Sequence, residues 1–221
     1  MKKLFCLILM LSLAFSALAQ TTDEEREKIE LSYAFGILVA YDLMDMAIDF
    51  DYDAFILGFR QYMENEDTEI DIYEAMEIIS AIFEVRQERI AEENLAIGLA
   101  FLEENSRRPG VIVTPSGLQY ELISEGHGEM PNIADHVLVH YVGTNVHGEI
   151  FDSTHEYGEP LELPLYRVIP GWSEGLRLMR EGERAILYIP ADLAYGPTGY
   201  GGYIAPNAVL IFDVELLSIV Q

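Results

Sequence analysis

No proline occurs between Gln20 and Arg108, and from Pro109 onward prolines recur along the whole chain. Proline removes an amide donor and clashes with the preceding helical turn, so the first stretch is open to long helices and the second is not. The apolar residues follow the same division. Thr22 or Asp23 can cap a first helix whose opening Asp23-Glu24-Glu25 suits the positive end of the helix dipole, and Tyr33, Ile37, Tyr41 and Met44 continue it. Asp51 or Asp53 can start a second helix through Phe55, Phe59 and Tyr62. Asp71, with Glu74 three residues later, has the form of a capping box opening a third. Its stripe runs Ile72, Met76, Ile79 and Phe83, then resumes at Ile90 and Ile97. Arg86, Gln87, Glu88, Arg89, Glu92 and Glu93 interrupt the stripe. A helix from Asp71 to Glu104 would be roughly 50 Å long, with a middle too polar for a core, as in a free-standing arm. The first helix carries more apolar and aromatic side chains than one face of a three-helix unit can bury, and a partner chain is the simplest cover.

Beyond Pro109 the period shortens to that of strands. Leu118, Tyr120 and Leu122 alternate with polar neighbours, as do Val137, Val139 and Tyr141, and His147-Gly148 can turn a hairpin into Ile150-Phe151. A short helix is expected over Trp172 to Met179, with strands at Arg184 to Ile189 and Val209 to Leu217. One short helix among antiparallel strands is an α+β arrangement. The natural boundary is Arg108-Pro109-Gly110. The expected organisation is a helical domain with a long linking helix over 20–109, then an α+β domain over 110–221.

Residues 1–19 read as an address rather than structure. Lys2 and Lys3 precede an apolar run from Leu4 to Phe15, and Ala17-Leu18-Ala19 supplies small residues for cleavage before Gln20. Such a run is short for a bilayer span. A cleavable signal peptide and export are therefore expected. Cys6, the only cysteine, leaves with that segment, so no disulfide, thiolate nucleophile or cysteine ligand is expected in the mature chain. Without Lys2 and Lys3, 11 basic side chains face 38 acidic ones, a charge of −27 that argues against nucleic acid and anionic membranes. Asp49, Asp51 and Asp53 alternate as in a calcium loop, but Ala54 and Arg60 stand where that loop needs glycine and glutamate. Capping explains these aspartates better. His136 and His140, at i and i+4 on a strand, would lie ~13 Å apart, so no metal site is expected among the histidines. No phosphate loop, nucleophile elbow or zincin helix is present.

Six segments carry a resemblance. Gly117-Leu118-Gln119-Tyr120, Val139-His140-Tyr141-Val142-Gly143, Phe151-Asp152-Ser153, Val168-Ile169-Pro170-Gly171-Trp172, Leu193-Ala194-Tyr195-Gly196 and Phe212-Asp213-Val214-Glu215-Leu216 resemble the FKBP domain in order and spacing. Singly, Trp172, Tyr141, Phe151 and Phe212 would read as core, and Asp152 as a turn residue; the joint register turns them into a pocket. Ser32-Tyr33-Ala34-Phe35-Gly36, Asp53-Ala54-Phe55-Ile56-Leu57-Gly58 and Phe101-Leu102-Glu103-Glu104-Asn105 are similar to the helical domain of exported two-domain FKBPs of the Mip and FkpA type.

The resemblance implies a peptidyl-prolyl cis/trans isomerase that works on unfolded or partly folded exported proteins, with no cofactor and no metal. It implies a pocket of Tyr141, Asp152, Ile169, Trp172 and Tyr195 as catalytic residues, with Phe151, Leu161, Val168, Ile204 and Phe212 binding substrate. Trp172 would floor the pocket, while the Ile169 N–H and the Tyr195 hydroxyl would meet ligand carbonyls. Macrolide ligands, a homodimer through the N-terminal helices, and a periplasmic location with outer-membrane association or secretion as variants are further implications. Three positions depart from the family pattern. Tyr157 stands where an arginine usually pairs with the pocket aspartate, Tyr200 where some relatives carry histidine, and Leu161 where many have an aromatic wall residue. The alternative is a dimeric holding chaperone whose pocket binds chains with little or no turnover.

Overall fold

The computed structural model describes residues 22–44 and 49–220. The address read at residues 1–19 lies outside the described residues. The chain forms two compact units, one ending at Asp71 and the other spanning Ile72–Gln221.

The first unit contains helices α1 (Asp23–Met44) and α2 (Tyr52–Met63). Thr22 and Glu25 close a reciprocal cap: the Glu25 N–H donates to Thr22 Oγ1 at 3.3 Å, and the Thr22 N–H donates to Glu25 Oε2 at 2.9 Å. Asp51 caps α2 by accepting the Ala54 N–H at 3.0 Å, which gives this aspartate the capping role read for it. Neither helix buries a side chain within the single chain. Tyr33, Tyr41 and Tyr62 are 73%, 66% and 62% exposed, alongside Phe35, Ile37, Phe55 and Phe59.

The second unit opens with α3 (Ile72–Asn105), a 34-residue helix. Strands follow: β1 (Val111–Val113), β2 (Gln119–Ser124), β3 (His136–Thr144), β4 (Ile150–Ser153), β5 (Leu161–Pro164), β6 (Arg184–Ile189) and β7 (Leu210–Val220). All pair antiparallel in the order β1-β2-β6-β7-β3-β4, with β5 also on β3. β4 takes the Val142–Thr144 end of β3 and β5 takes the His136–Val139 end. Between them the chain leaves the sheet through the single-turn helix α4 (Thr154–Tyr157). Helix α5 (Pro170–Leu176) lies against β6 and buries Gly171, Trp172, Gly175 and Leu176. Proline at its first turn, where the missing N–H costs nothing, sets its start two residues before the expected Trp172. The core is Leu118, Val137, Val139, Leu165, Leu176, Leu187, Val214 and Leu216, all fully or almost fully buried.

Two side-chain placements depart from the sequence reading. Leu122 is 44% exposed rather than part of the inward row, at the end of β2 just before the β2–β6 register shifts toward Ser124. On α3, the large side chain that meets the sheet is Phe101, its ring centroid 5.9 Å from that of Tyr188, and the rest of the contact is mostly small or polar. Ile97 is exposed, while Ala91, Asn94, Gly98, Leu102 and Asn105 face inward at helical spacing. Gly98 permits the closest approach: a Cβ there would lie 2.8 Å from Val209 Cγ2. A mid-helix glycine costs roughly 1 kcal/mol relative to alanine, so this contact has a local cost that packing offsets. Further along, Asn105 Nδ2 donates to Gln119 Oε1 at 2.8 Å, and Gln119 Nε2 donates to the Leu102 carbonyl at 2.8 Å. Asn105 and Gln119 are both buried, so each amide satisfies the other's desolvation. Arg108 completes the joint with bonds to Asn105, Tyr188 and Glu121.

Candidate active site

Four aromatic rings meet at the centre of the second unit. Tyr141 comes from β3, Phe151 from β4, Trp172 from the first turn of α5 and Phe212 from β7. Tyr141 and Phe212 each meet Trp172 edge-on with centroids 5.0 Å apart, at 90° and 85°. Phe151 meets Phe212 at 5.5 Å and 88°. These T-shaped contacts place ring edges on ring faces, the favourable quadrupole arrangement, and hold the box rigidly. Gly143 makes room for it, since a Cβ there would lie 2.8 Å from both Phe151 and Phe212.

The box floors a cavity of about 690 Å³. All ten residues singled out in the sequence line it: Tyr141, Phe151, Asp152, Leu161, Val168, Ile169, Trp172, Tyr195, Ile204 and Phe212. Tyr157 and Tyr200, noted as departures, are also there. Sequence reasoning missed Leu163, Arg167 and Tyr203. Leu163 was findable, two residues from Leu161 on the same strand face. Arg167 beside Val168 and Tyr203 in a glycine-rich loop carried no periodic signal.

Asp152 is the only carboxylate in the lining. Its Oδ2 accepts the Tyr141 hydroxyl at 2.5 Å, and among the described residues it makes no ion pair. Tyr157, in the position of the expected arginine, is 75% exposed and leaves Tyr141 as the carboxylate's partner. Burial pushes the Tyr141 phenol well above its ordinary range, and the Asp152 bond pushes it the same way. Tyr195 is raised too, chiefly by burial, with Tyr200 and Asp152 adding to it; its ring stacks on Tyr200 at 5.0 Å. Ile169 precedes α5, and its carbonyl accepts the Trp172 and Ser173 amides at 3.0 and 3.1 Å. Among the described residues, the Trp172 indole N–H is the one fully buried side-chain polar atom without a partner.

No group of three or more His, Cys, Asp or Glu is placed to hold a metal among the described residues. His140 instead stacks on His155 at 4.8 Å, and its Nδ1 lies 3.0 Å from Thr154 Oγ1.

Residues 128–217 match the family described as FKBP-type peptidyl-prolyl cis-trans isomerase, and residues 28–122 match the domain amino terminal to it. The outer membrane protein MIP of Legionella longbeachae is 38% identical over 213 residues, covering 93% of this chain and 90% of that protein. The FKBP-type peptidyl-prolyl cis-trans isomerase FkpA of Escherichia coli is 35% identical over 215 residues, covering 93% and 79%. The crystal structure of FkpA from Escherichia coli superposes with a TM-score of 0.70 at 32% identity, covering 90% of this chain and 97% of that one. A sheet wrapped on a short helix, with an aromatic box at their junction, thus defines an FKBP-type peptidyl-prolyl cis-trans isomerase, and the chain belongs to that family. Within it, the helical region ahead of the isomerase domain gives the chain the two-domain architecture of the Mip and FkpA proteins.

Proposed function

We propose that the isomerase reaction takes place in the cavity floored by Trp172, with the proline ring on the indole and the flanking carbonyls directed at the Ile169 N–H and the Tyr195 hydroxyl. The single observation that carries this is an aromatic box with one carboxylate and few donors. Rotation about an Xaa-Pro amide meets a barrier of about 18–20 kcal/mol set by resonance. No covalent bond to the protein is needed. The twisted amide has lost resonance, so its carbonyl carries less charge than the planar form, and an apolar cavity penalises the planar form more. Lowering the barrier by about 5 kcal/mol would raise the rate roughly four decades. Phe151, Leu161, Val168, Ile204 and Phe212 exclude water, while the Asp152–Tyr141 bond holds one wall in place.

Around this reaction we place four finer assignments. The basic and apolar leader, with the similarity to a protein named for the outer membrane, supports export to the periplasm, with outer-membrane association or secretion as further destinations. Clients are then exported chains that still carry non-native Xaa-Pro isomers. The exposed apolar residues of α1 and α2 support a homodimer through the helical region, and the same surface gives a holding activity its basis. The cavity volume and rings suit macrolide ligands.

The test is a protease-free isomerisation assay of the full chain on a short proline peptide. Trp172→Leu should keep the far-UV spectrum and lose at least tenfold in kcat/KM. A folded variant with unchanged efficiency would remove the cavity from the reaction.

A further inference from the structure

The loop from Tyr195 to Val209 supplies Tyr195, Tyr200, Tyr203 and Ile204 to the proline cavity. Its neck is closed internally, with the Asn207 N–H donating to the Gly196 carbonyl at 2.9 Å and Tyr200 and Ile204 exchanging backbone bonds at 2.9 and 3.0 Å. Beyond the packing of Ile204 in the core, α3 holds the closed loop at two points. Asn94 Nδ2 donates to the Pro206 carbonyl at 2.8 Å, and Asn207 Nδ2 donates to the Ala91 carbonyl at 3.0 Å. Two amides on opposite sides thus reach across to each other's backbone, one helical turn from the Gly98–Val209 contact. Asn207 holds its place with φ 55, a conformation disfavoured for most side chains.

Behind the loop there is space. A second cavity of about 300 Å³ lies between α3 and the loop, bordered by Asn94, Ile97, His147 and Val209, and it shares Phe151, Tyr203 and Ile204 with the proline cavity. A packed core fixes a side chain by contacts on all sides. Ile204 has such contacts and belongs to the core, whereas Tyr203 is 82% exposed, so its position rests on the loop backbone and on whatever ties that backbone.

We propose that Asn94 and Asn207 are positioning residues for the isomerase reaction, a clasp by which α3 sets the Tyr203–Ile204 wall of the proline cavity. This rests on the reading of that cavity as the reaction site. It gives α3 a part in substrate binding although no α3 residue touches the cavity.

Two substitutions test it in the full chain with little local cost. Asn94→Ala removes one amide and improves helix propensity. Asn207→Gly removes the other and keeps the positive φ accessible. Each should raise KM for a short proline peptide threefold or more, with kcat within twofold of wild type. The double variant should rise by less than the product of the single effects, because either change opens the same clasp. Hydrogen exchange of residues 196–209 should quicken in all three. A lowered melting temperature with KM inside the threefold limit would mean the asparagines only stabilise the fold, and would overturn the proposal. So would unchanged exchange in the loop. Exchange reads the clasp without turnover, so an inactive wild type would count against the reaction site while the coupling was still decided.

Discussion

Tyr141 and Asp152 share a short hydrogen bond on the cavity wall, and the consequence for pH follows from the direction in which that wall moves the phenol. Burial, then the carboxylate, hold the Tyr141 proton more tightly in the folded protein than in the unfolded chain. The stabilisation from a raised phenol is complete below the ordinary tyrosine value of about 10 and is lost as pH rises through the folded value. The lining contains no histidine, lysine or cysteine. Catalytic efficiency should therefore be nearly flat from about pH 6 to 8, unlike the bell of a general acid–base enzyme. Behind the wall His140 stacks on His155, and Thr154 Oγ1 joins His140 to the Tyr141 amide. A tenfold step centred near neutrality with the fold intact would defeat a mechanism by desolvation alone. Pattern alone reads Trp172, Tyr141, Phe151 and Phe212 as core and Asp152 as a turn residue, so the ten lining residues were legible only through the resemblance carried by the six segments. Tyr203 was not, since only the closed Tyr195–Val209 loop brings it over the cavity.

Among the elements, α3 is where sequence reading was least complete. Its length and starting point were plain from the capping pattern at Asp71 and the absence of proline. Its docking face was not, because hydropathy selects Ile90 and Ile97 while the contact uses Gly98 and the amides of Asn94 and Asn105. Glycine and asparagine are poor helix formers, and their presence on one stripe is a signal only once a partner surface is known. The buried Asn105–Gln119 pair should be the firmer of the two attachments, since both amides are desolvated. Asn105→Leu leaves the Gln119 side-chain oxygen without its donor and should cost about 1–3 kcal/mol in urea unfolding. A change below a few tenths would mean that this end of α3 is held by Arg108 and Phe101 instead.

At the scale of the whole molecule, α1 and α2 present aromatic and aliphatic side chains that the single chain does not bury. An exposed apolar area of that extent is unusual for a monomer. Multi-angle light scattering of the mature chain should give twice the chain mass, and a fragment from 20 to 105 should also dimerise. A fragment from 111 to 221 should remain monomeric. A full-length monomer at micromolar concentration would remove the dimer and any dimeric holding activity built on it. The order of strands carries a different consequence, one of timing. β7 lies between β6 and β3 yet is the last strand of the sheet to be made. Before it emerges, β1, β2 and β6 can form one ribbon and β3, β4 and β5 another, with nothing to join them. Closing the sheet requires residues far apart in the chain to meet, which makes it a late event. The domain thus cannot complete its sheet during most of its synthesis.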